Sequence, residues 1–200
     1  MSAPDLIAAL GPVVAALEKL RVPYSLAGSV ASSVHGVARA TLDVDVVADL
    51  QAQHVEPLVA ALADAYYVDR SAAATAVATR RMFNAIHLAT MMKVDIYVLS
   101  HRAYDREAFG RRGRAALEDR PDAAHYSLDT PEDTILHKLE WYHAGGEVSE
   151  RQWRDVQGIL KVQADALYLA YLQHWASELG IGQILERALN ESSDRSRESK

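Results

Sequence analysis

Two aspartates inside a β-branched run are the feature that most constrains this chain. The run from Leu42 to Val47 reads Leu-Asp-Val-Asp-Val-Val, with Asp43 and Asp45 two residues apart. Side chains alternate along a strand, so the two carboxylates point to one side while Leu42, Val44 and Val46 point to the other. Like charges on one face repel and lose hydration, so folding alone rarely selects them. A cation such as Mg²⁺ resolves the conflict, because carboxylates and substrate phosphates hold it together. The alternative is a solvent-facing edge strand on which the two aspartates have no functional role.

Two further stretches carry related chemistry. Gly28-Ser29 stands where a predicted strand turns into a helix, and the backbone N–H groups of a helix N-terminus form a site for phosphate. The run from Lys93 to Leu99 predicts a later strand, which carries Asp95 among apolar residues. A phosphate-binding turn, a carboxylate pair and a third carboxylate together indicate a two-metal site.

Three motifs, in this order, resemble the nucleotidyltransferase fold of the DNA polymerase β superfamily: Gly28-Ser29, Asp43-Val44-Asp45 and Asp95. That family has a Gly-Ser turn, an Asp-x-Asp pair some distance later, and a third Asp on a neighbouring strand. The residues Arg39-x-Thr41 directly ahead of the pair are closer still to minimal bacterial enzymes, the abortive-infection (AbiEii/AbiGii) type toxins and their relatives.

The later part of the chain resembles the same bacterial enzymes. Pro131-Glu-Asp-x-Ile-x-x-Lys138 is followed by Arg151-x-x-Arg-Asp155. In that family, a lysine on the first of two helices and an aspartate on the next face the metal site. The resemblance covers about residues 23–163 and implies that Lys138 contacts a triphosphate, while Asp155 orients the triphosphate or the lysine. On the residues alone, both are read as surface charges.

The resemblance implies transfer of a nucleoside monophosphate from a nucleoside triphosphate, ATP being one candidate, to an acceptor hydroxyl with two Mg²⁺ ions. The implied metal ligands are Asp43, Asp45 and Asp95, which with Lys138 form the catalytic set. The implied nucleotide-binding residues are Gly28, Ser29, Arg39, Thr41, Lys138 and Asp155. Of the metal ligands, Asp95 holds the ion that activates the attacking hydroxyl.

The sequence leaves the acceptor open between a tRNA end, a protein hydroxyl and a small molecule such as an aminoglycoside. The resemblance favours a toxin-like enzyme, with a cognate antitoxin as partner, over one that modifies antibiotics. A different class is a catalytically degenerate fold of this type that binds a nucleotide or a partner; the presence of all three carboxylates disfavours it. A metal-dependent phosphohydrolase is disfavoured because the chain has no clustered His/Asp ligand spacing.

Composition limits the class of protein and the partners that we expect. The 200-residue chain is half hydrophobic and about a quarter charged, as in ordinary soluble globular proteins. It has no cysteine, so we expect no disulfide framework and a cytoplasmic location. The first residues carry no basic segment and no apolar run is long enough for a bilayer, so we expect no signal peptide and no membrane partner. A net charge of −6 disfavours indiscriminate nucleic-acid binding but permits a local basic groove.

Hydrophobic periodicity predicts an α/β or α+β core, and the resemblance makes it an α+β fold with a nucleotidyltransferase-type mixed sheet and flanking helices. We expect this core over residues 1–128, a helical C-terminal bundle over 129–190 and a disordered polar tail over 191–200. Residues 101–120, rich in arginine, are interpreted either as a mobile connection or as a basic strip for triphosphate or RNA.

Two histidines invite functional readings. His35 lies at the end of a short predicted helix, where we expect it to meet free carbonyls rather than substrate. His87 alternates with Ile86 and Leu88, which places it on the opposite side from them and, on one reading, on the same side as Asp95. A structural role for His87 is the alternative.

Overall fold

The computed structural model describes residues 3–41 and 43–198. Leu42, which we predicted on the apolar side of the carboxylate strand, lies outside the described residues. The described chain forms two compact units. Unit 1 contains the residues up to Val30 and Ala40–Leu128, and unit 2 contains Ala31–Arg39 and the residues from Asp129 onward. Residues 31–39, which the sequence prediction assigned to the core, therefore group with the C-terminal helices.

Unit 1 is built on a mixed sheet of seven strands among its described residues. The strands are β1 (Tyr24–Leu26), β2 (Asp43–Ala48), β3 (Tyr66–Val68), β4 (Met82–His87), β5 (Lys93–Val98), β6 (Gly113–Ala116) and β7 (His125–Leu128). Their order across the sheet is β3-β4-β5-β2-β1-β7-β6. The β2–β5 and β1–β7 pairs are parallel, and the other neighbours are antiparallel.

The helices of this part of the chain are α1 (Ala3–Lys19), α2 (Gly28–His35), α3 (Ala52–Leu62), α4 (Arg70–Thr79) and α5 (Ala103–Arg111). The chain passes from unit 1 to unit 2 within α2. Helix α1 packs against α3 and β5, and α3 packs against α4 and β3.

The apolar side of the sheet forms the core of unit 1. Val44 and Val46 on β2, with Val94 and Ile96 on β5, are fully buried. Burying a valine or isoleucine side chain contributes about 1.5–3 kcal/mol, so these two strands are fixed with their apolar residues inward. The alternation then turns every second residue of β2 and β5 to the opposite face.

Residues 101–120 differ from both sequence interpretations. They contain α5, whose Tyr104, Ala108 and Phe109 are buried, and β6, which pairs with β7. Their arginines make intramolecular ion pairs: Arg102 with Asp105, Arg106 with Asp49, and Arg120 with Glu118. This segment is therefore an ordered part of unit 1, and several of the charges expected to form a basic strip are paired within the protein.

Unit 2 is helical. After Ala31–His35 of α2, it contains α6 (Pro131–Ala144), α7 (Glu150–Gln163), a 3-10 turn (Ala164–Ala166), α8 (Leu169–Glu178) and α9 (Gly182–Glu198). Helix α6 begins at Pro131, and the Thr130 hydroxyl caps it by accepting a hydrogen bond from the Asp133 backbone N–H at 3.1 Å. Helices α6 and α7 pack together, α8 packs against α6, and α9 packs against α6, α7 and α8. Ile135, Val156 and Leu172 are fully buried there.

The described part of the tail is helical rather than disordered. Helix α9 continues to Glu198, so residues 191–198 belong to it. The Trp153 indole N–H donates to the Glu191 carboxylate at 3.0 Å, which ties this stretch to α7. Among the helices that the structure describes, none is both long and apolar enough to cross a membrane.

Candidate active site

The three predicted metal ligands lie on one face of the sheet of unit 1. In the parallel β2–β5 pair, Asp45 is in register with Asp95, and Asp43 is in register with Lys93. Neighbours in register share a face, as do residues two apart along one strand. All four side chains therefore point to the side opposite the valine core. Asp95 is buried, and Asp43 and Asp45 are half-buried.

Gly28 holds the start of α2 against this face. Its φ is +55°, and a Cβ at this position would lie 1.9 Å from Asp45 Oδ2. Only glycine meets both conditions without strain. The Ala27 N–H donates to the Asp45 carbonyl at 3.0 Å, and Ser29 is 5% exposed. The N-terminus of α2, with the predicted Gly28-Ser29 turn, therefore lies directly beside a carboxylate of the pair.

Polar neighbours fix two of the carboxylates. The Thr41 hydroxyl donates to Asp43 Oδ1 at 3.0 Å. Asp95 accepts from the Asn84 side-chain amide and from the Lys93 ammonium, whose Nζ lies 2.8 Å from Asp95 Oδ2. The hydrogen bond with Asp95 raises the pKa of Lys93, and the charges of the three aspartates act in the same direction against some desolvation. Lys93 is therefore a charged member of this face.

The sequence reading missed Lys93 and Asn84. Lys93 stands two residues before Asp95, so its side of β5 was predictable from the alternation. Asn84 had no such signal, because its position opposite Asp95 depends on the antiparallel register of β4 and β5.

Tyr97 continues the same face one step beyond Asp95, in register with Val47. Burial raises the pKa of Tyr97 to about 12, and the charges of Asp45, Asp95 and Asp43 add to this effect. Its phenol therefore stays protonated at neutral pH and is a hydrogen-bonding group rather than a base.

The donor chemistry of the face suits Mg²⁺, although the carboxylates do not surround one point. Oxygen ligands from two or more carboxylates are what this ion takes in proteins. Over residues 3–41 and 43–198, however, no three or more acidic, histidine or cysteine side chains are gathered as a metal-binding group. Asp95 is engaged by Lys93 and Asn84 instead. A metal ion shared with Asp95 would therefore meet the Lys93 ammonium at the same carboxylate.

The second predicted group lies within unit 2 and is named here the Asp155 cluster: Arg39, Lys138, Gln152 and Asp155. The Arg39 guanidinium donates to both carboxylate oxygens of Asp155, at 2.8 and 2.9 Å. Lys138 Nζ lies 2.7 Å from Asp155 Oδ2 and 3.0 Å from Gln152 Oε1. Burial opposes ionisation of Asp155, but the hydrogen bonds from Arg39 and Lys138 outweigh it and lower its pKa. Asp155 is therefore ionised, with two cations upon it.

Two glycines allow this cluster to form. A Cβ on Gly36 would lie 2.8 Å from the Ile159 backbone nitrogen, and one on Gly158 would lie 3.3 Å from the Val37 nitrogen. The segment after α2 therefore passes close to the backbone of α7, from which Asp155 projects. This close passage brings Arg39 to Asp155, and Lys138 reaches the same carboxylate from α6.

The structure sorts the predicted site residues into two groups. Unit 1 holds Gly28, Ser29, Thr41, Asp43, Asp45 and Asp95, and unit 2 holds Arg39, Lys138 and Asp155. Arg39 and Thr41, two residues apart in one motif, thus fall in different groups. Lys138 and Asp155 are 5% and 8% exposed, so neither is an ordinary surface charge.

The two histidines lie outside both groups. His35 Nε2 is 2.6 Å from the Asp129 carbonyl oxygen, so it meets a backbone carbonyl, but not one of its own helix. The placement of His87 beside Asp95 was wrong. Ile86 is in register with Lys93 and so shares the face of Asp95, while His87 points to the other side. There it contacts the Thr90 hydroxyl and the Tyr66 ring.

No protein-family model and no curated protein sequence matches this chain. Solved structures do match. The antibiotic-resistance factor ANT(2'')-Ia, in complex with adenylyl-2''-tobramycin, has a TM-score of 0.57 and 13% identity over 88% of this chain and 97% of its own. Its solution structure has a TM-score of 0.54 and 12% identity over 100% of both chains. An antigenic nucleotidyltransferase-like protein from Paracoccidioides brasiliensis has a TM-score of 0.53 and 14% identity over 95% of this chain and 94% of its own.

At these identities the similarity establishes the fold. The predicted α+β architecture, with a nucleotidyltransferase-type mixed sheet followed by a helical C-terminal region, is confirmed. The resemblance to the abortive-infection type stays a prediction.

Proposed function

We propose that this protein is a Mg²⁺-dependent nucleotidyltransferase that moves a nucleoside monophosphate from a nucleoside triphosphate to an acceptor hydroxyl. The observation that carries the proposal is the shared face of Asp43, Asp45 and Asp95 beside the N-terminus of α2. Three acids on one face of a folded strand pair are costly, and a divalent cation with a polyphosphate relieves that cost. The fold similarity to nucleotidyltransferases supports the same chemistry.

The start of α2 is the proposed phosphate site. Its first backbone N–H groups and the positive end of its dipole favour a polyphosphate. In this assignment the Gly28-Ser29 turn holds the β and γ phosphates. Gly28 has a further task, because its missing side chain leaves room for the Asp45 carboxylate.

The aspartates are the proposed metal ligands: Asp43, Asp45 and Asp95 would hold the Mg²⁺ ions. When bound, Mg²⁺ supplies Lewis-acid stabilisation of the negative charge that develops on the transferring and leaving phosphates. Thr41 and Asn84 orient the carboxylates of Asp43 and Asp95 through the hydrogen bonds described above. The oxygen of the acceptor hydroxyl attacks the α-phosphorus, and the bond from that phosphorus to the oxygen of the β-phosphate breaks. Pyrophosphate leaves, and the hydroxyl proton is released to solvent.

The Asp155 cluster has the charge that a phosphate needs. One carboxylate holds two cations, Arg39 and Lys138, so the three ionised groups carry a net charge of about +1. Following the family resemblance, we assign Lys138 to the triphosphate and Asp155 to the orientation of Lys138. Arg39 shares that carboxylate through both of its oxygens.

For the acceptor we propose an RNA end or a protein hydroxyl in a toxin–antitoxin setting, with the cognate antitoxin as partner. A small-molecule acceptor is the second candidate, because ANT(2'')-Ia, whose fold this chain shares, has been solved with an adenylylated antibiotic. Arg102, Arg106 and Arg120 are paired with acidic side chains, so the basic strip that we considered for RNA at residues 101–120 no longer supports an RNA acceptor.

A non-catalytic nucleotide- or partner-binding protein is a further candidate that one observation favours. The Lys93 ammonium already neutralises Asp95, so the face is balanced in part without a metal ion. Catalysis and simple binding therefore differ in whether a labelled nucleotide is transferred.

The test is incubation with each α-labelled nucleoside triphosphate and Mg²⁺, in parallel with total RNA, a protein lysate and a panel of aminoglycosides. We expect Mg²⁺-dependent label on one acceptor class, and none with Asp45→Asn. The matched control is Asp64→Asn, which alters an exposed aspartate of the same unit. Nucleotide binding with no labelled acceptor in any arm contradicts the transferase and leaves the binding protein.

A further inference from the structure

We propose that Lys93 is an internal competitor for the divalent cation at Asp95. Its ammonium holds Asp95 in the metal-free protein, and an incoming ion must displace it. Lys93 would therefore keep metal binding weak until nucleotide arrives. This inference rests on the proposed function, since it concerns the same carboxylates.

The charges on the face form a compact set. Asp43 is beside Lys93 across the β2–β5 pair, and Asp45 is beside Asp95. Adjacent strands are about 4.8 Å apart, so each charge lies next to two others of the set. Lys93 Nζ is 2.8 Å from Asp95 Oδ2. The ammonium thus occupies the neighbourhood in which a metal ion shared with Asp95 would have to be.

The two partners differ in their freedom to move. The Asp95 side chain is 5% exposed, whereas that of Lys93 is 44% exposed. A lysine ammonium on a flexible four-carbon stem can return to water, but the buried carboxylate has no such exit. An ammonium and a dication on one carboxylate repel each other at this range. Displacement of Lys93 is therefore the lower-cost way to admit a metal ion.

A purely structural role for Lys93 gives a different result. If Lys93 only offsets the charge of Asp95 for folding, its removal lowers stability and leaves metal affinity at the site unchanged. If it competes, its removal strengthens metal binding. Metal affinity measured without nucleotide therefore separates the two roles, and it needs no active enzyme.

The experiment is calorimetric titration of the full chain with Mn²⁺ in the absence of nucleotide. Lys93→Met and Lys93→Gln remove the charge, and the glutamine keeps a hydrogen-bond donor for Asp95, which preserves the fold if the methionine does not. We expect both variants to bind Mn²⁺ about tenfold more tightly than the unchanged protein. Lys93→Arg keeps the charge and should bind as the unchanged protein does. Lys19→Met is the matched control, because it removes an exposed lysine at the end of α1.

Equal or weaker Mn²⁺ affinity in folded Lys93→Gln overturns the competitor role. Asp45→Asn, titrated in parallel, separates this failure from that of the proposed function. Loss of Mn²⁺ binding in Asp45→Asn with no change in the Lys93 variants rejects the competitor role alone. Undiminished binding in Asp45→Asn rejects the metal site and the competitor role together.

Discussion

The carboxylate face of unit 1, formed by Asp43, Asp45, Asp95 and Lys93, and the Asp155 cluster of unit 2 carry opposite net charges. The first has three acids and one lysine, and the second has one acid and two cations. A carboxylate that accepts from both an arginine and a lysine is satisfied within its own unit. Three carboxylates on one face repel one another, although each has hydrogen-bonding or ionic partners of its own. The net negative charge of the first group favours a bound cation, and the net positive charge of the second group favours a bound anion.

The two groups of charges therefore differ in what they are expected to contribute: the Asp155 cluster to stability, and the carboxylate face to function. Acids placed together against their mutual repulsion are a departure from the rules of stable folding, and such departures concentrate at functional sites. An acid between two cations follows those rules. Neutralising one acid in each unit should therefore have different consequences, which the following substitutions measure.

The largest effect is expected from Asp45→Asn. The substitution preserves the shape of the side chain against Gly28 but removes its charge, so we expect Mg²⁺-dependent nucleotide transfer to fall by about 10³-fold. Because it relieves repulsion with Asp43 and Asp95, the free energy of unfolding should stay equal or rise. Steady-state kinetics and urea unfolding measure the two quantities. Undiminished transfer would remove Asp45 from the metal site.

The next effect is on stability and concerns Asp155→Asn. Loss of this charge leaves the buried Lys138 and the partly buried Arg39 facing each other without their shared partner. We expect the free energy of unfolding to fall by about 3 kcal/mol. Asp165→Asn, at an exposed aspartate of the same unit, is the control and should change it little. If Asp155→Asn is as neutral in urea unfolding as Asp45→Asn, the contrast between the two groups does not hold.

A smaller effect is expected from Lys138→Met, which keeps the apolar stem and removes the ammonium. Arg39 still neutralises Asp155 in this variant, so the loss of stability should be well below that of Asp155→Asn. We expect KM for the nucleoside triphosphate to rise about tenfold, because one positive charge assigned to the phosphates is gone. Kinetics with Lys161→Met, an exposed lysine of α7, provide the comparison. Unchanged KM would make Lys138 a structural partner of Asp155.

The smallest effect is a pair of opposite pH dependences within unit 2. Hydrogen bonds lower the pKa of Asp155, so its stabilisation is present above its unfolded pKa of about 3.9 and is lost as pH falls through the lower folded value. Burial raises the pKa of Asp133, so its ionisation lowers stability as pH rises through the folded value. Urea unfolding across acidic to neutral pH should give opposite slopes for the stability differences between the unchanged protein and Asp155→Asn or Asp133→Asn. Slopes of one sign would contradict the assignments.

Local pattern predicted the strands and the face of β2, because alternation is a property of one segment. Val44 and Val46 of β2 point inward as expected, and the two aspartates share the other side. The register between strands depends on long-range packing, so Asn84 opposite Asp95 was not predictable, and His87 was placed on the wrong face. Strand β6, with the sequence Gly-Arg-Ala-Ala, has no β-branched or aromatic residue and exists through its pairing with β7.

Two helical segments were not predicted because charged residues dominate their sequences. Helix α5 has three buried residues among many charged ones, so its apolar stripe was too thin to recognise. Likewise, the polar end of α9 gave no reason to expect order, since the contact of Glu191 with Trp153 joins distant parts of the sequence. The roles predicted for Lys138 and Asp155 came from the family resemblance, whereas the contact of Lys138 with Gln152 and the ion pair between Arg39 and Asp155 required the coordinates.

The central claim is that the carboxylate face of unit 1 binds divalent cations together with a nucleotide. Electron paramagnetic resonance can count the Mn²⁺ ions bound per chain in the presence of a triphosphate analogue whose α–β bridge resists cleavage. We expect two ions with the analogue, and loss of this binding in Asp45→Asn. Binding of no Mn²⁺ with the analogue, or the same number in Asp45→Asn as in the unchanged protein, would contradict the claim.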